Sequence, residues 1–81
     1  MNPNNKKVIV YSTPSCPYCK MSKNFFKENN VSYEDVNVAV DHARAQEMVN
    51  KSGQMGVPVI DIEGKIVVGF QPKVFEQLLK E

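Results

Sequence analysis

Lys7-Val8-Ile9-Val10-Tyr11-Ser12-Thr13-Pro14-Ser15-Cys16-Pro17-Tyr18-Cys19 is the stretch on which the fold turns. Residues 7–11 are a short β-branched, apolar run, the pattern of a strand buried on both faces. Ser12 to Ser15 read as a loop, with Pro14 stopping any continuation of the strand. Pro17 suits the first position of a helix, where its missing N–H would have had no partner. From there Cys19, Ser22 and Phe26 recur at i, i+3 and i+7, with Met21 and Phe25 beside them as an apolar face. Lys20, Lys23 and Lys27 fall on another face and read as solvated, Lys20 and Lys23 adding weak positive potential near Cys16. Asn29-Asn30 end the helix.

The rest of the chain extends this beginning. Val31 to Val38 alternates loosely and predicts a second strand. Asp41 is a good N-cap for a second helix, with Ala45, Met48 and Val49 as its apolar stripe and Gly53 as its stop. Residues 57–62 predict a third strand, and Glu63-Gly64 a tight turn into a fourth, residues 65–68, so that the two pair as a hairpin. Pro72 opens a last helix with Val74, Phe75, Leu78 and Leu79 facing inward. The order is βαβαββα. Its first three elements make a βαβ unit with parallel strands. A four-stranded mixed sheet covered by three helices, an α/β architecture, is the economical packing.

With 81 residues the chain is expected to be a single domain, residues 1–81, with residues 1–6 flexible. Ten Lys and Arg against nine Asp and Glu leave a net charge of +1. That lacks the basic excess of a protein that holds nucleic acid or an anionic membrane surface. No apolar run approaches the roughly 20 residues of a membrane span. The polar N-terminus leads only into Val8 to Tyr11, where a signal peptide needs an apolar stretch of about 7–15 residues. A cytoplasmic monomer is expected, without nucleic-acid or membrane partners.

The chain has two cysteines, Cys16 and Cys19. A small secreted domain stapled by disulfides would usually carry four or more. A bridge across so small a loop also constrains little of the unfolded chain. The pair is better explained by chemistry. A C-x-x-C at a helix start, directly after a strand, is a redox signature. Unpaired N–H groups and the positive end of the helix dipole favour a negative sulfur there, and the thiolate is the form that attacks disulfides. Cys16 is therefore the expected nucleophile. Cys19, one turn in and facing the sheet, is the expected resolving thiol, close enough for the two sulfurs to meet in disulfide geometry. A zinc site would want four ligands. The only further strong candidate is His42, which reads as an exposed first-turn residue, so neither a metal nor a built-in cofactor is expected.

A second informative site is Gly56-Val57-Pro58. Proline inside a sheet is confined to edges, bulges and strand starts. Only about 5–6% of X-Pro bonds in folded proteins are cis, so composition alone makes Pro58 a strand-start proline.

From Val8 to Leu79 the chain resembles the glutaredoxin family, within the thioredoxin fold. Tyr11 to Cys19 is similar to the family's active-site strand and dithiol, and Cys-Pro-Tyr-Cys is its typical version. Lys51 to Pro58 is similar to the segment that ends in Thr-Val-Pro, whose proline is cis. Val68-Gly69-Phe70-Gln71-Pro72 stands where glutaredoxins have Gly-Gly followed shortly by Asp. The resemblance implies a dithiol–disulfide oxidoreductase acting on protein disulfides or glutathione mixed disulfides, with glutathione as cosubstrate. It implies that the Val57 backbone pairs with a bound thiol peptide beside cis-Pro58, as an added strand does. Tyr18 would border the same groove. Gly69 would admit the substrate backbone, with Phe70 and Gln71 next to it, and the start of the last helix would receive a carboxylate.

Four positions depart from the family. Thr13 stands where a Lys or Arg usually holds the glycine carboxylate of glutathione. Gly56 replaces Thr, Val68 replaces Gly, and Gln71-Pro72 replaces the acidic helix start. Gly69-Phe70-Gln71-Pro72 resembles instead the Gly-Phe-x-Pro of NrdH-type redoxins, which take electrons from thioredoxin reductase, a flavoprotein, and pass them to ribonucleotide reductase. A third reading is an iron–sulfur cluster shared by two chains through Cys16 and glutathione. Relatives of that kind usually carry a less rigid residue than Pro17.

Overall fold

A computed structural model describes residues 6–81. The order is β1 (Val8–Ser12), α1 (Pro17–Glu28), β2 (Glu34–Asn37), α2 (His42–Ser52), β3 (Val59–Ile62), β4 (Lys65–Val68) and α3 (Pro72–Lys80). The strands lie in the order β2-β1-β3-β4. β1 pairs parallel with β2, Val10 opposite Asp35, and antiparallel with β3, Tyr11 opposite Val59. β3 and β4 form the expected antiparallel hairpin. This is the thioredoxin-like βαβαββα arrangement. The flexible start falls, apart from half-buried Lys6, outside the described residues.

The sheet divides the core in two. Val8, Val10, Ile60 and Ile62 face Phe26 of α1 and Phe75 and Leu79 of α3. The Phe26 and Phe75 rings meet at 5.1 Å, with Phe25 5.6 Å from Phe75. On the other face Ile9, Tyr11, Val36 and Val59 pack with Met48 of α2. All five residues of β1 are buried, as its apolar run predicts for a strand central in the sheet.

Helix caps explain where the helices begin and end. The Asp41 side chain accepts from the Arg44 N–H at 3.1 Å, and Gly53 closes α2 in the left-handed conformation. The β3–β4 turn has positive φ at both central residues, Glu63 (52°) and Gly64 (87°), as a two-residue turn requires. Asp61 Oδ1 accepts from the Gly64 N–H at 2.7 Å.

The structure corrects several expected boundaries. The first strand is shifted by one residue, to Val8–Ser12. The second strand covers only Glu34–Asn37. The Val31 N–H is spent on the Phe26 carbonyl at 2.8 Å, closing α1, and the buried Val31 side chain joins the core without strand pairing. Pairing in β3 starts at Val59, after Pro58, which has no N–H to give. Met21 and Val74, expected to face inward, are exposed. Met21 lies two residues, about 200° of helix turn, from Cys19 and so points away from the sheet.

Besides Met48 and Val49, α2 is held by polar groups. The buried Tyr11 hydroxyl donates to Glu47. Lys51 Nζ donates to that hydroxyl at 2.8 Å and to Asp61 at 2.7 Å. Arg44 bonds Glu47 at 3.1 Å and Glu34 at 2.9 Å.

Candidate active site

The site forms where β1 gives way to α1. Cys16, in extended conformation, is the N-cap of α1, and Pro17 follows at the first helical position. The Cys19 N–H donates to Cys16 Sγ at 3.2 Å. The sulfur thus occupies the place of a capping oxygen, with a backbone donor aimed at it. Cys16 is partly exposed, Cys19 is fully buried, and both are free thiols. Burial, with the hydrogen bond to Cys16 second, pushes the Cys19 thiol up to about 12. The two cysteines are therefore unequal in access, and the buried one is held protonated. Alkylation with iodoacetamide at pH 7 is expected to label Cys16 first and to leave Cys19 at least about tenfold slower, since the thiolate is the reacting form. Peptide mass mapping over time reads this, and equal rates would contradict it.

A second segment closes on Cys16 from 41 residues further along the chain. The Cys16 thiol donates to the Val57 carbonyl at 3.9 Å. The Val57–Pro58 bond is cis. The Pro58 carbonyl accepts from the Gly69 N–H at 2.9 Å, where Gly69 has φ 88°. The segment leading to Val57 is organised by Gln54, which sequence reasoning did not single out. Its Oε1 accepts from the Gly56 N–H at 2.6 Å, and its Nε2 donates to the Gly56 carbonyl at 3.0 Å. A Cβ at Gly56 would fall 2.7 Å from that Oε1, so a side chain at 56 would displace the clamp.

The other expected site residues take distinct places. Thr13 is half-buried and acts through its backbone, its carbonyl accepting from the Cys16 N–H at 3.4 Å. Tyr18 is 61% exposed in the first turn of α1. Phe70 is half-buried and packs on Phe75, ring centroids 6.1 Å apart, so its ring belongs to the core. Gln71 is the N-cap of α3, yet its side chain makes no capping bond; its amide donates to the Val68 carbonyl at 2.8 Å. The structure therefore gathers Cys16, Cys19, Thr13 and Val57, joins Gly69 to Pro58, and leaves Tyr18 facing solvent. His42 is exposed, and among the described residues no three His, Cys, Asp or Glu side chains gather as a metal site. No helix among them is long and apolar enough to cross a membrane.

A second group went unread in the sequence. Ser12 Oγ donates to Asp35 Oδ1 at 3.0 Å, and Lys23 Nζ to Asp35 Oδ2 at 3.1 Å. Lys23 was expected on a solvated face, adding weak positive potential near Cys16. The available signal was its spacing of four from Cys19, which puts both on one side of α1.

Residues 8–67 match the glutaredoxin family model. The chain belongs to the glutaredoxin family. A glutaredoxin-like 8.6 kDa protein of the rubredoxin operon of Clostridium pasteurianum is 46% identical over 74 residues, spanning 91% of this chain and 99% of that protein. Glutaredoxin 3 of Escherichia coli is 31% identical over 62 residues, 76% of this chain and 75% of its own. The crystal structure of a thioredoxin-like protein superposes with a TM-score of 0.84 at 38% identity, covering 89% of this chain and 99% of its own. The NrdH-redoxin of Escherichia coli shares the fold, with a TM-score of 0.77 at 22% identity, covering 89% of this chain and 93% of its own. As a glutaredoxin-like thiol redox protein, the chain carries the family's dithiol at Cys16 and Cys19, with the Val57 carbonyl beside Cys16.

Proposed function

We propose that this protein is a dithiol–disulfide oxidoreductase that reduces protein disulfides. The Cys16 thiolate attacks one sulfur of a substrate disulfide. A Cys16–substrate bond forms, the substrate S–S bond breaks, and the other substrate sulfur leaves as a thiolate that takes up a proton. Cys19 then loses its proton and attacks Cys16 Sγ. The Cys16–Cys19 bond forms and the second substrate sulfur leaves with the electron pair. The substrate gains two electrons and the dithiol loses two. The observation that carries this reading is the asymmetry of the pair: an accessible sulfur on a helix N-cap beside the Val57 carbonyl, and a buried thiol one turn behind it. The exposed Tyr18 and Met55, neighbours in sequence of the thiols and of Val57, give a protein substrate apolar surface to touch. A reductant of this kind acts as a monomer in a reducing compartment such as the cytoplasm, and no cofactor is built in.

The electron donor is where the chain departs from an efficient glutathione enzyme. Thr13 brings no cation to the site, and Gln71-Pro72 brings no carboxylate. An exposed ion pair contributes roughly 0.2–1 kcal/mol, and a charged hydrogen bond about 1.5–3 kcal/mol. Losing one of each weakens glutathione binding by about tenfold to several-hundredfold. Backbone pairing at Val57 survives, so slow glutathione-dependent turnover remains. A flavoprotein reductase of the thioredoxin reductase kind is the better donor in this reading, and Gly69-Phe70-Gln71-Pro72, similar to the NrdH-type sequence, favours it. In turnover assays kcat/KM is expected to be higher with NADPH and thioredoxin reductase than with glutathione and glutathione reductase. Thr13→Lys is expected to raise the glutathione value about two- to fivefold, in line with an exposed ion pair. Efficient glutathione turnover by the wild type, or no response to Thr13→Lys, would refute this donor assignment.

A further inference from the structure

Ser12, Lys23 and Asp35 come from three elements, β1, α1 and β2, and meet in one cluster. The Ser12 hydroxyl, whose residue is buried, holds Asp35 Oδ1 at 3.0 Å. Asp35 Oδ2 in turn accepts from Lys23 Nζ at 3.1 Å. The Lys23 side chain is only 21% exposed, so it folds inward and does not extend into water. It stands four residues after Cys19, on the same side of α1.

We propose that Lys23, held in place by Asp35 and Ser12, is a positioning residue for the resolving step, its ammonium stabilising the negative charge that forms on Cys19. This rests on the dithiol reading above. In the step concerned, Cys16 is already bound to the substrate sulfur. Cys19 gives up its proton to solvent, its sulfur bonds to Cys16 Sγ, and the Cys16–substrate bond breaks. The electron pair leaves on the substrate sulfur, which takes up a proton. A fully buried thiol must become negative during this step, and a nearby fixed cation lowers that cost. The Lys23 charge opposes the upward push of burial on Cys19.

The groups around Cys19 support the assignment. On α1 they are the Cys16 sulfur and Lys23; from the loop after β1, the Thr13 backbone. From β2, Asp35 is engaged by Lys23 and Ser12. Asp61 of β3 pairs with Lys51 of α2, on the face of the sheet opposite α1. Lys73, Glu76 and Lys80 of α3 are exposed.

The test uses an aromatic disulfide whose thiolate is coloured, mixed with reduced protein in a stopped-flow instrument. The first thiolate released reports attack by Cys16, and the second reports displacement by Cys19. In Lys23→Gln the second phase is expected to slow about three- to tenfold near pH 7, its pH profile moving up by about 0.5–1 unit, with the first phase unchanged. Lys23→Arg is expected to restore both rate and profile, and Lys23→Met to behave as Lys23→Gln. A second phase with wild-type rate and pH profile in Lys23→Gln and Lys23→Met, or no rescue by Lys23→Arg, overturns the role of Lys23 while leaving the dithiol reading intact. A wild type that releases only one thiolate overturns both.

Discussion

Cys16→Ser is expected to lose disulfide reduction entirely, a fall on the order of a thousandfold or more, as follows when the attacking group itself is removed. A serine hydroxyl can cap α1 as well as the thiol does, so the helix start and the thermal midpoint should persist. The loss is then chemical and not structural. Cys19→Ser is expected to behave differently. Its Cys16 still attacks, so an aromatic disulfide yields one coloured thiolate per chain and the protein stops as a mixed disulfide. Reduction of protein disulfides ceases, while exchange with glutathione mixed disulfides, which needs one thiol, can continue. Insulin reduction together with intact mass spectrometry separates the two variants. Cys16→Ser retaining activity, or Cys19→Ser releasing two thiolates, would reverse the assignment of roles.

The second large effect concerns the fold. Phe75→Ala and Phe26→Ala each remove a ring that is fully buried between α1, α3 and the sheet. Such truncations cost about 3–5 kcal/mol, by lost transfer energy and by the cavity left behind. A domain of this length has about 4–12 kcal/mol of stability in all. Either variant is therefore expected to lose a large share of its native stability, read as a fall in the urea midpoint at unchanged slope. Because the same rings hold α1 on the sheet, activity fails together with the fold, unlike in Cys16→Ser. A loss under about 1 kcal/mol would mean that the core refills the space.

Much of this was legible in residue order. Pro17, Asp41, Gly53 and the Glu63-Gly64 turn are local signals, each acting on its own few neighbours, and each marked its boundary well. The dithiol was legible for the same reason: its spacing and its helix start lie within four residues. What escaped is non-local. Val31 and Tyr33 have strand-forming side chains, but they go to the core beside Phe26 and leave the pairing to Glu34–Asn37. Gln54 clamps Gly56 only because the chain bends there after α2. Lys23 looked like one lysine of a solvated face because Asp35, which draws it inward, belongs to another strand.

The attachment of α2 carries a consequence for how the molecule opens. Met48 is its one buried side chain, with half-buried Val49 packed beside it, and Arg44, Glu47 and Lys51 add charged bonds to Glu34, Tyr11 and Asp61. Tyr11 and Arg44 keep the Glu47 carboxyl below the usual range. That contribution is full above the unfolded carboxyl pKa, and it fades as pH falls through the lowered folded value. Hydrogen exchange should therefore find α2 a separate cooperative unit, released before the aromatic layer of α1 and α3, and sooner in acid or high salt. Its last turn feeds through Gln54 into Val57. The Val57 segment beside Cys16 is thus tethered to the more labile half of the molecule, while both sulfurs ride on the more durable half.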